Sequence, residues 1–371
     1  MKMFGWAIKS LLNQRASFAA SVVGVASAFV LVLFFDAVWR GESVQIVSYI
    51  EHSNPDIWVM QSGVSNMHMA SSYIWDWKAD RIAEIEGVKR VTPILYLNTA
   101  IELGGVDYFG YVVGLPEGAA RAGPWAISAG HAMPGAGEVV IPARFLDIAG
   151  IGIGDQVSIA DSQLSVVGLS EGTYSIANPV FFMRYSDLSD ILSAAGTYSY
   201  LLVDLQPDAD PGQVVSRIED EVEKVNAMTH EAFVASDFRM AMHMGVQILV
   251  VMTAIGMALA VVIVSFTAYT QVTRRQRELA IAKALGFRSR MIYLFVVYQS
   301  LVVTLLGYFM AIGCTYALVG WVPHWVPNVT LVMSSSSAVQ LGASILTVAI
   351  LSSLPAALRV ARLDPVQVFN D

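Results

Sequence analysis

Ala16 to Phe35 is a run of 20 residues without a charge, set between Arg15 and Asp36. An α-helix rises about 1.5 Å per residue, so roughly 20 apolar residues cross a hydrocarbon layer about 30 Å thick. Between Arg239 and Arg274 the sole side chain that charges near neutral pH is His243, and between Arg290 and Arg359 it is His324. The last stretch has room for two crossings. It breaks at Trp321 to Asn328, where Pro323 and Pro327 stop a helix and Trp321 and Trp325 suit a water–lipid boundary. The pattern predicts transmembrane helices at 16–38, 244–270, 291–319 and 335–357.

Lys2, Lys9 and Arg15 before the first block could belong to a cleaved signal peptide. The block is longer than the usual apolar region of about 7–15 residues, and Asp36 to Arg40 is no small-residue cleavage site, so a retained anchor is expected. Lys and Arg flank membrane spans on the cytoplasmic side. Segments 1–15, 271–290 and 358–371 hold 11 Lys/Arg against 3 Asp/Glu, whereas 40–236 holds 10 against 25. Both termini and the 271–290 loop are therefore expected inside the cell, in the plasma (inner) membrane of a bacterium, with residues 39–243 outside. Residues 1–15, with Phe4, Ile8, Leu11 and Leu12 on one stripe, read as a cytoplasmic interfacial helix.

The acidic balance, a pI near 5.2, gives no footprint for nucleic acid. Cys314 is the single cysteine and lies in the third span, so no disulfide within the chain can staple the outer domain. That domain mixes strand signals at 56–60, 108–113, 137–141, 156–159 and 163–169 with amphipathic helices at 77–86 and 211–225. The expected fold class is an α-helical membrane protein of four transmembrane helices, with an extracytoplasmic α+β domain inserted between helices 1 and 2.

Catalytic motifs are few. The chain lacks G-x-x-x-x-G-K-[ST], H-E-x-x-H and C-x-x-C, so ATP hydrolysis is expected in a partner and no enzyme activity in this chain. Gly168-Leu169-Ser170-Glu171-Gly172 fits G-x-S-x-G, but a nucleophile elbow needs a helix next, and Thr173 to Pro179 is a poor one. The glycines are expected to make a strand-end turn. Met67-His68-Met69 and Met240-Ala241-Met242-His243-Met244 offer thioether and imidazole groups. Such groups suit haem iron or copper(I), and methionine equally suits adaptable contact with an amphiphile. These residues are candidate substrate or haem contacts; no metal site is expected.

The inner loop, Thr273 to Phe287, reads as a short helix with Leu279, Ala282, Leu285 and Phe287 toward one side and Gly286 as its stop. Its basic character would by itself fix topology and touch anionic membrane lipid, while the apolar side suits docking into a groove on another protein.

This loop resembles the R-x-R-E-x-[AG]-x-x-[KR]-A-[LM]-G segment of the FtsX/MacB/LolC class of ABC permeases. Leu354 to Val366 is similar to the P-A-x-x-A-A-x-x-D-P ending of that class, with Arg359, Asp364 and Pro365 in matching places. Gly152 to Ile159 followed by Leu164 to Gly168 is similar to its outer-domain G-x-x-v-G-D-x-v and v-V-G pattern. Asp56 to Val59 and Val366 to Phe369 most resemble DevC-like permeases, with haem-exporting HrtB-like ones nearby. The resemblance implies a permease dimer worked by a separate ABC ATP-binding subunit carrying ATP and Mg, with Arg277, Glu278, Lys283, Ala284, Leu285 and Gly286 as ATPase-coupling residues. This chain would hold no cofactor. DevC-like members imply a glycolipid-like cargo and a periplasmic adaptor; HrtB-like ones imply haem and none. The expected function is export or extraction of an amphiphile by mechanotransmission. The alternative is an FtsX-like transducer that activates an extracytoplasmic partner and transports nothing.

Overall fold

The computed structural model describes residues 2–68, 71–175, 178–243, 247–326, 329–336, 338–344 and 347. They form two compact units, a helical one from 1–40, 248–325 and the described residues after 330, and a sheet unit from 41–247 with 326–330. Helix α1 spans Lys2–Asn13 and α2 spans Arg15–Ile46. The expected stripe on α1 divides: Leu11 is buried, as is Ala7, while Leu12 is half exposed. The side chains of Phe4 and Ile8 lie outside the described set.

In the sheet unit, α3 (Ser48–Ser53) leads to β1 (Ile57–Gln61), β2 (Ile74–Trp75) and α4 (Asp76–Ala83). Then come β3 (Val88–Leu103), β4 (Val106–Leu115), β5 (Ile127–Gly130), β6 (Glu138–Pro142) and α5 (Arg144–Ala149). Next are β7 (Gln156–Ile159), β8 (Ser162–Ser170), β9 (Val180–Arg184), α6 (Tyr185–Leu192), β10 (Thr197–Tyr198) and β11 (Tyr200–Leu205). The unit closes with α7 (Pro211–Glu221), β12 (Val225–Thr229) and α8 (His230–Ala241). The main sheet runs β12-β1-β11-β3-β4-β9-β6-β8-β5, with β7 bridging β3 and β8, and β2 pairs β10 separately. It is an α+β domain.

Strand β3 organises the domain because it is long enough to serve two neighbours. Val88 to Ile94 pair with β11, and Leu95 to Leu103 pair with β4. Side chains alternate faces along a strand. Ile57 and Val59 of β1 therefore join a core under α4 and α7 with Ile82, Val214 and Ile218, while Trp58 and Met60 join Tyr96, Tyr111, Phe182, Tyr200 and Phe233 on the other face. A third core gathers Val112, Val139, Phe145, Phe181 and Met183.

The helix expected at 211–225 ends earlier. Asp210 caps it by accepting from the Gln213 N–H at 2.9 Å, and Pro211 opens it. Val222 turns extended (φ −120°, ψ 107°), Lys224 takes φ 59°, and Val225 opens β12. Val222 and Val225 are β-branched and fit a strand as well as a helical stripe, so spacing alone did not locate the break.

Helix α9 spans Gln247–Arg274, α10 Gln276–Ala284 and α11 Ser289–Trp321. Three described helices, Arg15–Ile46, Gln247–Arg274 and Arg290–His324, are long and apolar enough to cross a membrane. The fourth expected span, 335–357, falls largely outside the described residues, although 338–344 are helical. The tail at 358–371 lies wholly outside them. In the helical unit, α9 and α11 approach α2 through glycines. A Cβ on Gly307 would sit 2.9 Å from Val25 Cγ1, and one on Gly256 3.4 Å from Val32 Cγ2. Small residues at such crossings let helix backbones come close where lipid supplies no hydrophobic drive.

Candidate coupling site

Helix α9 does not run straight into α10. Arg275 leaves helical geometry (φ −116°, ψ 18°), and α10 restarts at Gln276. Arg275 is 6% exposed, and its Nη2 donates to the Ser10 carbonyl of α1 at 2.5 Å. Burial lowers its pKa, and the charge of Glu278 opposes that shift. Beside it, Arg274 Nη1 donates to Ser17 Oγ at 2.9 Å. Two adjacent arginines thus tie the start of α10 to α1 and α2.

The inward face of α10 is apolar. Leu279 joins Ala7, Ala268, Val272, Ile292, Phe295 and Val296 in one buried cluster, and Ala280 and Ala282 are buried too. The single apolar side expected from spacing is split: Leu279 and Ala282 pack inward, whereas Leu285 and Phe287 are exposed at 75% and 40%. The reason is local. Helix geometry stops at Ala284, so a helical wheel does not extend to Leu285 and Phe287. Gly286, at φ 89°, supplies the left-handed turn; its N–H donates to Lys283 O at 3.1 Å, and that of Phe287 to Ala282 O at 3.2 Å. These two bonds are a Schellman cap, which favours glycine at this position.

The six residues singled out for coupling thus sit on one short element. Arg277, Glu278, Ala284, Leu285 and Gly286 are exposed, and Lys283 is half-buried. Arg275, which anchors the element, carried no sequence signal beyond its charge.

The methionine–histidine residues are distributed differently. Met67 and His68 are buried in the sheet unit, where His68 Nδ1 lies 2.9 Å from Asp237 Oδ2 and the Met67 N–H donates to Asp237 Oδ1 at 2.7 Å. Tyr96 OH donates to Met67 O at 2.7 Å, and Tyr200 OH to Asn66 O at 2.9 Å. Burial raises the pKa of Tyr96, Tyr111 and Tyr200, and nearby Asp237 raises them further. Met240 and Met242 are half-buried, and His243 is exposed with Nδ1 3.4 Å from Gln247 Nε2. Met69 and Met244 lie outside the described residues. Among the described residues no group of three or more His, Cys, Asp and Glu could hold a metal ion. Asp237 is the member that sequence reading missed, since 170 positions separate it from Met67.

At the G-x-S-x-G motif, Ser170 is buried against Ile141 O and Thr173, and no helix follows it directly, so the elbow geometry is absent. Gly172 (φ 74°) makes the expected turn; Gly168 instead lies within β8.

Residues 18–221 match the MacB-like periplasmic core domain, and residues 250–365 match the FtsX-like permease C-terminal region. The chain belongs to the FtsX/MacB-type ABC transporter permeases. An uncharacterised ABC transporter permease of Mycobacterium bovis is 22% identical over 366 residues, covering 98% of each chain. A further one from Mycobacterium tuberculosis is 22% identical over 372 residues, again covering 98% of each. The periplasmic region of MacB from Actinobacillus actinomycetemcomitans aligns over 50% of this permease and 94% of its own chain, with TM-score 0.38 and 12% identity. An ABC transporter permease works with an ATP-binding partner.

Proposed function

We propose that this permease couples ATP hydrolysis in a separate subunit to export or extraction of an amphiphile, with α10 as the element that receives force. In this reading the chain itself hydrolyses nothing. It crosses the plasma membrane four times with both termini in the cytoplasm, and two copies act together, with room for a periplasmic adaptor. The observation that carries the reading is the two-sided build of α10. Buried Leu279, Ala280 and Ala282 and the Arg275–Ser10 bond fix it to the helical unit, while Arg277, Glu278 and, at its end, Leu285 are exposed. An apolar tip with charged neighbours is the pattern of a helix end that seats in a protein groove. A force applied there passes to α1 and α9 because the packed contacts leave little slack. His68 is 4% exposed, so haem could reach its Nε2 only if the packed segment after β1 opened, and an apolar or lipid-like cargo fits the domain better.

Co-purification of the permease with its ATPase tests this. Leu285→Asp and Lys283→Glu are each expected to weaken assembly by about tenfold or more, since a partner-facing anchor is worth roughly 1–2 kcal/mol. Glu278→Ala should lower stimulated ATP turnover. Unchanged assembly and turnover in all three would remove α10 from the coupling role.

A further inference from the structure

Gln14, in the turn between α1 and α2, and Ser17 and Ser21 in the first turns of α2 line a recess together with Gln271, Arg274 and Arg275. Each of these six side chains carries an N–H or O–H donor, and no Asp or Glu lines the recess. The cavity is about 10 Å³, the room one water or one phosphate oxygen occupies. Arg275 is 6% exposed, and its Nη1 has no hydrogen-bond partner. Its carboxylate neighbour, Glu278, acts on it through space without an ion pair. A buried charged donor left unpaired is costly, so the site is built to receive an acceptor.

We propose that this recess is a phosphate-binding site, and that it takes an oxygen from the headgroup phosphodiester of an anionic membrane lipid. The source follows from position. The recess lies at the end of α9 where the apolar run gives way to Arg274, and at the start of α2 where Arg15 precedes the charge-free block. That is the depth of lipid headgroups, where arginine stems lie along apolar surface and their heads meet phosphate. Leu11 and Phe18, the remaining lining residues, are apolar and suit the start of an acyl chain. A free phosphate would have to shed water on every side to enter a space of one oxygen; a headgroup at the mouth offers one oxygen and keeps the others wet. Because Arg275 also begins α10, an occupied site would stiffen the junction that the proposed function uses. The inference rests on that reading only for which leaflet supplies the lipid.

The full-length permease, without its ATPase, is reconstituted in vesicles of equal phosphatidylglycerol and phosphatidylcholine, extracted, and its retained lipid measured. About tenfold enrichment of phosphatidylglycerol is expected from two arginines at an anionic surface. The enrichment should vanish in the Arg274→Gln/Arg275→Gln pair. It should also vanish in Ser21→Leu, which fills the recess and keeps both charges; thermal unfolding by tryptophan fluorescence confirms that each variant folds. Displacement by millimolar inorganic phosphate would support the phosphate site and assign it to a soluble phosphate. Equal retention of both lipids by the unaltered protein overturns the proposal and leaves only a water on Arg275. Enrichment that survives Ser21→Leu overturns it as well, because diffuse surface charge would then suffice. Labelling that placed Arg274 outside the cell would sink the coupling reading and leave the binding result standing.

Discussion

Asp237→Ala is expected to lower the stability of the sheet unit by about 3–4 kcal/mol, the cost of removing one partner from a buried polar pair. The side chain is 1% exposed; its Oδ1 accepts from the Met67 N–H at 2.7 Å and its Oδ2 lies 2.9 Å from His68 Nδ1. Neither has water to turn to, since Met67 and His68 are themselves 1% and 4% exposed. The loss spreads further. Tyr96 OH donates to Met67 O, and Asn98 Nδ2 to His68 O at 3.3 Å, so the segment after β1 is held to β3 by these two bonds and to α8 by the carboxylate, and losing the second loosens the seat of the first. For a domain of this size the change corresponds to a fall of roughly 10 °C in the unfolding midpoint. Trp58 reports it locally, because its ring stacks on Phe233 of α8 at 4.8 Å. Asp237→Asn keeps an acceptor for the Met67 N–H and should cost about 1 kcal/mol. A midpoint for Asp237→Ala equal to that of the unaltered chain would show that the pair stabilises nothing.

That pair also marks where sequence reading runs out. The spans α2, α9 and α11 are legible because a membrane forbids charge over some 20 residues, which is a local rule. The strands β1, β4, β6, β7 and β8 are legible because Gly, Pro, Asp or Ser bounds each of them. Strand β11, Tyr-Leu-Leu-Val-Asp-Leu, escapes because both of its faces are buried, so it has no alternation to read. Strand β9, Val-Phe-Phe-Met-Arg, escapes for the same reason. Strand β3 escapes for the opposite reason: Lys89, Arg90, Asn98 and Thr99 interrupt an element whose length is set by pairing with β11 and then β4. For the candidate site, the identity of Arg277 through Gly286 came from motif resemblance. What holds that segment in place, Arg275 on Ser10 and Leu279 among α9 and α11 residues, depends on contacts far apart in the chain.

Gly168→Val tests the corrected reading of the G-x-S-x-G segment. Gly168 pairs with Gly130 where β8 meets β5. A Cβ on Gly168 would stand 2.1 Å from His131 O, and one on Gly130 would stand 2.1 Å from Val167 O. Both obstacles are backbone, which cannot rotate away as a side chain end does. The His131 N–H also bonds to Val167 O at 3.0 Å, so the two chains are drawn together where neither tolerates a side chain. Relief requires β5 to leave the sheet edge, and the expected cost is about 3 kcal/mol, the upper part of the range for overpacking. Gly63→Ala is the contrast. Its φ of 87° strains alanine, but its Cβ would meet nothing, so about 1 kcal/mol is expected. Limited proteolysis separates the two effects. Gly168→Val should open cleavage between residues 123 and 137 under conditions where Gly63→Ala stays intact there. Were Gly168→Val as resistant as the unaltered chain in that segment, the close approach of β5 and β8 would not constrain the edge, and the glycine would be a turn residue after all.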